Sequence, residues 1–356
     1  MRIVIDVTPL SHPRTGVGNY ILGSLRGLAP LAAGRHELVA LAPTSAQGTR
    51  RVRDALAGLD VEQRMTTLPF AHAWRTLWSR AGVPPVERFV GRVDAFEFSD
   101  WMYPAQHAGV RSTVIHDLVP LRYPEWTHSR TRRMHGAKYR NARRTCDVVF
   151  TNSQFTADDV ASTLGIPRER LRVAYPGVDA AFTPEGDRAD LGEPYVLTVA
   201  TLEPRKNLDT LVAAHELRNT VLLAVVGGAG WGAQPRLRSP RIRPLGFVAN
   251  EELPRYYRGA DVFVMPSRFE GFGMPVVEAM ACGVPCVVSS HPSLDEAAGD
   301  AAVRADPDDP AAIAAAIDEA RTRRDEIVPK GIEHARRFTW EGTASVMLRA
   351  FEELGR

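Results

Sequence analysis

The sequence predicts an α/β protein made of two doubly wound, Rossmann-like domains. Three observations carry that prediction. Short, almost wholly apolar runs alternate with stretches of helical spacing; such strands are buried on both faces, as in a parallel sheet covered by helices. The pattern occurs twice, before and after a Pro-, Gly- and Asp-rich stretch at residues 175–187, which has the composition of an interdomain linker. The chain has 356 residues, more than the roughly 250–300 that one hydrophobic core organises.

In the first half, residues 3–7 read as a strand, followed by a loop to Gly16. Residues 18–28 then show helical spacing, with Tyr20, Leu22, Leu25 and Leu28 on the buried side. Further strands are expected at 38–41, 93–98, 112–115 and 148–151. The second half repeats this grammar, with strands at 195–199, 221–226, 242–245, 262–265 and 285–288. Helices fit between them at 208–217, 251–259 and 275–281. Asp309-Pro310 supplies an N-cap and a first-turn proline for an Ala-rich helix, and 339–354 is an amphipathic helix. The expected domains are 1–185, 186–338 and a terminal helix, 339–356, that could return to the first domain. A cleft between two such domains would be lined by loops at the carboxyl ends of the strands.

Composition excludes several classes. Hydrophobic residues at 44% and charged residues at 24% are those of a soluble globular chain, not a disordered or fibrous one. A net charge of +2 gives no general electrostatic case for nucleic acid. Cys146, Cys282 and Cys286 are too few for a disulfide framework and lack the partners of a zinc site. The N-terminus carries no signal-peptide h-region, and no apolar run of about 18 residues occurs, so a cytoplasmic protein is expected.

The strongest motif runs from Ser267 to Met280 and includes Glu270-Gly271-Phe272-Gly273-Met274-Pro275 and Glu278. A glycine loop opens directly into a helix whose first N–H groups can receive an anion. Carboxylates at either end of such a loop could grip hydroxyls of two sugars, one a ribose and one a transferred sugar. The competing reading makes Glu278 a solvated helix position. A second motif, Glu203-Pro204-Arg205-Lys206-Asn207, follows the first strand of the second half. An Arg and a Lys at a helix start can neutralise a diphosphate, or can be a solvated basic pair. Thr15-Gly16-Val17-Gly18-Asn19-Tyr20-Ile21 resembles a dinucleotide fingerprint but lacks its third glycine, and no acidic residue ends the next strand. A Rossmann dehydrogenase is therefore disfavoured. His116-Asp117 ends a buried strand, and Asn152-Ser153 ends another. Asp306-Pro307-Asp308-Asp309 reads as helix-capping chemistry rather than a metal site.

Glu270 and Glu278, with the internal Gly-Phe-Gly and the continuation Glu-Ala-Met-Ala-Cys-Gly-Val-Pro, resemble the retaining glycosyltransferases of family 4, which have the GT-B fold. The resemblance covers nearly the whole chain and is tightest over 195–290. It implies a donor site in the second half. Arg205 and Lys206 would clamp the pyrophosphate, and the amides of Gly271, Phe272, Gly273 and Met274 would assist them. Glu278 would hold the ribose and Glu270 the transferred sugar. Many relatives carry a further Arg after the strand; here the segment is Ala200-Thr201-Leu202, which puts more of the clamp on Arg205 and Lys206. In the first half, Gly16 and Gly18 would approach the donor phosphate and acceptor, and His116 would contact the donor sugar near its reacting carbon. The resemblance implies no cofactor and no divalent metal.

The implied activity is transfer of a hexose, GDP-mannose being the first donor considered, to an acceptor hydroxyl in cell-envelope polysaccharide or glycolipid synthesis. The partners implied are a nucleotide-sugar and a sugar, lipid-linked or small-molecule acceptor, with no nucleic acid. Two other readings stay open: a GT-B sugar phosphorylase or nucleotide-sugar epimerase, and a non-catalytic sugar-binding partner subunit. Phe70, Trp74 and Trp78 recur at helical spacing beside Arg75 and Arg80, and 129–144 holds Arg130, Arg132, Arg133, Lys138, Arg140, Arg143 and Arg144. Aromatics beside a basic helix suit an anionic membrane; core packing and a solvated face are the alternatives.

Overall fold

A computed structural model of the chain describes residues 1–100, 102–218, 221–230, 235–237 and 239–355. It divides into two compact units: residues 1–118, 130–177 and 339–356, and residues 119–129 and 178–338. The first unit holds strands β1 (Arg2–Asp6), β2 (Glu37–Thr44), β3 (Glu62–Thr67), β4 (Ala95–Phe98), β5 (Val110–Ile115), β6 (Val148–Thr151) and β7 (Leu171–Val173). The second holds β8 (Tyr195–Val199), β9 (Leu222–Val226), β10 (Ile242–Gly246), β11 (Val262–Met265), β12 (Cys286–Ser289) and β13 (Ala302–Ala305).

All pairings in both sheets are parallel. The orders are β3-β2-β1-β4-β5-β6-β7 and β10-β9-β8-β11-β12-β13. Both are the doubly wound order, with the direction of winding reversing beside the first strand of each unit. The period-two alternation of a strand divides the core. Ile3 and Ile5 of β1 pack with the Gly16–Ala32 helix on one face, while Val4 packs with Val39, Phe96 and Val149 on the other.

Three strands carry no apolar run and were not expected. β3 is Glu-Gln-Arg-Met-Thr-Thr at one edge of the first sheet, β7 is a three-residue edge strand, and β13 is Ala-Val-Arg-Ala at an edge of the second. Edge strands are covered on fewer sides, so pairing rather than burial defines them.

The aromatic series also divides. Trp78 of the Ala71–Ala81 helix is buried and donates its indole N–H to Pro84 O at 2.5 Å. Arg75 is buried as well and reaches Pro43 O at 2.9 Å. Phe70 and Trp74 are exposed, joined by Leu77 on the same side of the helix.

The C-terminal helix, Trp340–Leu354, belongs to the first unit, as the amphipathic pattern allowed. Thr339 caps it, its hydroxyl accepting from Gly342 N at 3.0 Å. Met347, Leu348 and Phe351 enter the core, and Phe351 meets Phe150 edge-on with centroids 5.6 Å apart. The helix lies against Gly23 and Gly27 of the Gly16–Ala32 helix, where a Cβ would overlap the Trp340 ring and the Trp340 carbonyl respectively. The two backbones approach this closely because neither glycine carries a side chain. Gly27→Ala should therefore cost about 1–3 kcal/mol by overpacking. A urea titration should show a lower midpoint, and one at or above wild type would contradict the contact.

Candidate functional site

In the second unit the winding reverses between β8 and β11. Ligands of open α/β sheets lie beyond the carboxyl ends of strands at such a point. Both charged motifs come off those two ends. β8 leads to the turn Pro204–Lys206, and β11 leads to the 266–273 loop. Asn207 fixes the first loop with a left-handed backbone, φ 57°, which Asn tolerates better than most residues. Its Nδ2 donates to Pro266 O at 3.0 Å and Pro307 O at 2.6 Å, and its Oδ1 accepts from Thr210. The loops are joined directly where Arg268 N donates to Arg205 O at 2.9 Å.

This framework brings Glu270, Arg205 and Lys206 into contact. Lys206 Nζ lies 2.6 Å from Glu270 Oε1, and an Arg205 guanidinium N–H donates to Oε2 at 2.7 Å. Arg205 Nε reaches Glu203 at 2.7 Å. The backbone N–H of Glu270 donates to Ser293 Oγ at 3.0 Å. Glu203, Lys206 and Glu270 are all buried, which excludes the solvated-pair reading. Burial pushes the Glu270 pKa upward, but the charges of Arg205 and Lys206 prevail and hold it at about 2. Burial, with Arg205 beside it, lowers that of Lys206.

Gly273 caps the Met274–Ala281 helix with φ 110°. A Cβ there would press on Leu294 at 2.7 Å, so both backbone and packing require glycine. Phe272 is buried with its ring against Phe338, centroids 5.1 Å apart. Its side chain belongs to the core. Met274 is half-buried and Gly271 buried. Glu278 is only 8% exposed, which excludes a solvated helix position. Tyr257 donates its hydroxyl to Glu278 Oε2 at 2.9 Å. Burial raises the Glu278 pKa to about 7; the Tyr257 hydrogen bond opposes this and the charge of Asp179 adds to it.

In the first unit His116 follows β5 and is half-buried, with the Tyr20 ring edge-on at 5.0 Å. Burial, opposed by the charge of Asp100, lowers its pKa to about 4, so the imidazole is neutral at pH 7. Gly16 and Gly18 begin the Gly16–Ala32 helix with room beside them: nothing lies within 4 Å of a Cβ at Gly16, and only Leu10, at 3.6 Å, at Gly18. Their packing within the unit does not demand glycine. Ser153 caps the Gln154–Leu164 helix, accepting from Thr156 N at 3.0 Å. Asn152 is buried, and its Oδ1 has no hydrogen-bond partner among the described residues.

Lys138, read from the sequence as part of a basic surface run, is 1% exposed. It is ion-paired with Asp100 and donates to Val114 O at 2.6 Å. The spacing of Lys138, Tyr139 and Ala142, the buried residues of the Ser129–Thr145 helix, was the available signal. Glu203, Asp100 and Tyr257 were also missed. Glu203 sits two residues from Arg205 and could have been suspected, whereas Tyr257 meets Glu278 only through the fold. Asp308 pairs with Arg268 at 2.7 Å, and Asp309 accepts from Ala311 N at 2.8 Å as the expected cap. Among the described residues no cluster of three or more His, Cys, Asp or Glu side chains could hold a metal.

Glycosyltransferase family models match both halves of the chain. Residues 14–182 match the model of Glycosyltransferase Family 4, and residues 181–338 match that of Glycosyl transferases group 1. The chain is 27% identical to O-antigen chain mannosyltransferase B of Escherichia coli, over 99% of this chain and 100% of that one. It is 31% identical to a D-inositol 3-phosphate glycosyltransferase of Acidothermus cellulolyticus, a match spanning 58% of this chain and 53% of that protein. The fold matches sucrose-phosphate synthase of Thermosynechococcus elongatus with TM-score 0.71 at 18% identity, covering 99% of this chain and 98% of that one. It matches Anabaena HepE in complex with UDP-glucose with TM-score 0.70 at 16% identity, covering 99% and 100%. The two-sheet α/β fold is thus that of GT-B glycosyltransferases.

Glu278 makes stability depend on pH. Its folded pKa, about 7, lies above the ordinary 4.5. The stability it contributes is present below 4.5 and is lost as pH rises through 7, by about 3 kcal/mol over that span. Glu278→Gln should abolish that loss, so the variant gains on wild type as pH is raised from 4.5 to 7. Urea titrations at several pH values measure it, and parallel pH profiles would refute the assignment.

Proposed function

The chain belongs to the family 4 glycosyltransferases, and we propose that it moves a hexose from a nucleotide-diphosphate sugar to an acceptor hydroxyl with retention at the anomeric carbon. The observation that carries this is the buried contact of Glu270 with Arg205 and Lys206 beyond β8 and β11. Such a site is suited to a ligand with a diphosphate beside sugar hydroxyls. Arg205 and Lys206 face the leaving diphosphate and stabilise the charge that grows on it as its bond to the sugar breaks. The amides of residues 271–274 add dipoles of the same sign. Glu270, held ionised, accepts hydrogen bonds from hydroxyls of the transferred sugar, and Glu278 accepts them from the ribose. His116 orients the sugar as a neutral imidazole.

Retention follows from attack on the face from which the diphosphate departs. The acceptor oxygen bonds to the anomeric carbon, the carbon–diphosphate bond breaks, and a diphosphate oxygen takes the acceptor's proton. No enzymic nucleophile is required. The two cations and the helix start supply the positive charge that a metal would otherwise provide. GDP-mannose is the proposed donor and a growing envelope glycan the proposed acceptor, supported by the full-length similarity to an O-antigen chain mannosyltransferase. The HepE complex with UDP-glucose makes that the first competing donor to test.

The Ala71–Ala81 helix suggests where such an acceptor's lipid could lie. Phe70, Trp74 and Leu77 are 87%, 53% and 60% exposed. Arg130 is close enough to depress the pKa of His72 on the same helix, after burial, and Arg80 and Arg140 both act on Tyr103. Exposed aromatics among arginines fit the surface of an anionic bilayer. No helix among the described residues is long and apolar enough to cross a membrane.

Three measurements test the proposal. Lys206→Ala should lower turnover of the donor by about 10²–10³-fold, and Glu278→Ala should weaken binding of the free nucleoside diphosphate by about tenfold or more; ordinary turnover or unaltered affinity, by calorimetry, would remove the residue from its role. The wild type should float with vesicles containing phosphatidylglycerol but not with pure phosphatidylcholine. The Trp74→Ser/Leu77→Ser double variant should lose that flotation, and equal flotation would dismiss the surface.

A further inference from the structure

The first unit holds a second group of buried ionisable side chains where its own sheet reverses, between β1 and β4. Asp6 ends β1, and Glu97 pairs in register with Ile5. A small pocket opens there, lined by Asp6, Glu97, His116 and Lys138, with Val17 and Ile21 of the glycine-loop helix among its apolar lining.

The neighbours of Glu97 are engaged. Asp6 accepts from Thr8 N at 2.9 Å and Ser99 N at 3.2 Å, and the Ser99 hydroxyl also donates to it. Lys138 is bound to Asp100 and to Val114 O. Glu97 differs: it is 4% exposed, and its Oε2 has no hydrogen-bond partner among the described residues. A buried polar atom without a partner costs stability. Burial raises the pKa of this carboxyl to about 8, Lys138 opposing and Asp6 assisting. At neutral pH it carries a proton and can both donate and accept.

The lining also selects the kind of ligand. An anion would meet the carboxyls of Asp6 and Asp100, and a cation would meet the ammonium of Lys138. An uncharged hydroxyl meets neither objection. The pocket lies at the carboxyl end of its strands, and Val17, between Gly16 and Gly18, is part of its lining. We infer that Glu97 is a substrate-binding residue whose unpartnered carboxyl oxygen holds a hydroxyl of the acceptor sugar in this pocket. The inference rests on the glycosyltransferase proposal, since it needs an acceptor sugar to be present.

The test uses the full-length protein, with GDP-mannose or UDP-glucose as donor and octyl α-D-mannopyranoside and other octyl glycosides as acceptor probes. Acceptor-free hydrolysis and transfer are measured in the same samples. Glu97→Met should raise the acceptor KM by about tenfold or more and lower the ratio of transfer to hydrolysis by a similar factor. Glu97→Gln keeps the shape and part of the hydrogen bonding, and should raise the same KM by about threefold, which preserves the test if the Met variant does not fold. An acceptor KM at the wild-type value in both variants, or transfer and hydrolysis falling in parallel, would overturn the inference and leave Glu97 a structural residue. A wild type that hydrolyses a donor but transfers to no octyl glycoside would overturn it as well. A wild type that turns over neither donor under any condition would instead overturn the glycosyltransferase proposal on which it rests.

Discussion

Glu270, enclosed by Arg205 and Lys206, is the interaction on which the arrangement of the second unit depends. Desolvating three charges is expensive, and a pair of this kind adds little or nothing to stability compared with apolar packing. Removing one partner is costly, however, because it leaves a buried charge without compensation. The loops off β8 and β11 are therefore held in register: Asn207 ties to Pro266 and Pro307, Arg268 to Arg205, and Ser293 to Glu270. That rigidity preorganises the cations. An ammonium has three N–H donors and a guanidinium five, so each holds Glu270 with only part of its donor set.

The first unit obeys the same topological rule with different chemistry. Both sheets reverse beside their first strand, and both place ionisable groups at or beyond the last residues of the two strands that flank the reversal. In the second unit these are Arg205, Lys206 and Glu270; in the first they are Asp6 and Glu97, with His116 and Lys138 nearby. A parallel sheet covered by helices buries its strands completely, so polar side chains are tolerated chiefly where the strands end and loops begin. The difference between two cations gathered round Glu270 and a pocket lined by Asp6, Glu97, His116 and Lys138 is set by which residues end or follow the strands.

Elements that depend on burial were legible in the sequence. β6, β8 and β11 are continuous apolar runs, and their limits coincide with the expected ones. β3 and β13 were not legible because their residues are polar or small and only partner strands define them. The segment 119–129 folds with the second unit although the first unit surrounds it in sequence. Tyr123 packing against Phe269, with centroids 5.3 Å apart, is part of the cause, and no local pattern announces a contact of such range. Residue type and spacing singled out Arg205, Lys206, Glu270 and Glu278, because these sit in the loops and the helix that directly follow strong strands. Lys138 was hidden among exposed arginines, since its burial depends on Asp100, distant in sequence. Glu97 was hidden inside an apolar strand, where nothing marks it except the fold around it.

Three buried glutamates show how far environment, rather than residue type, decides chemistry here. Glu270, between two cations, is held at about 2 and is a permanent acceptor. Glu278, supported by one tyrosine hydroxyl, is raised to about 7 and sits where small changes of surroundings alter its charge. Glu97, unpartnered at one oxygen and with Asp6 near, is raised to about 8 and keeps its proton. The net charge of +2 counts each of them as −1. The count misstates the interior, because a protonated Glu97 donates a hydrogen bond that an ionised one cannot, while Glu270 never donates. A hydroxyl is at once donor and acceptor, so the two carboxyls would engage one in different ways. The chain thus carries an ionised carboxylate beside one sheet and a neutral carboxylic acid in the other, a single amino acid in two electrostatic settings.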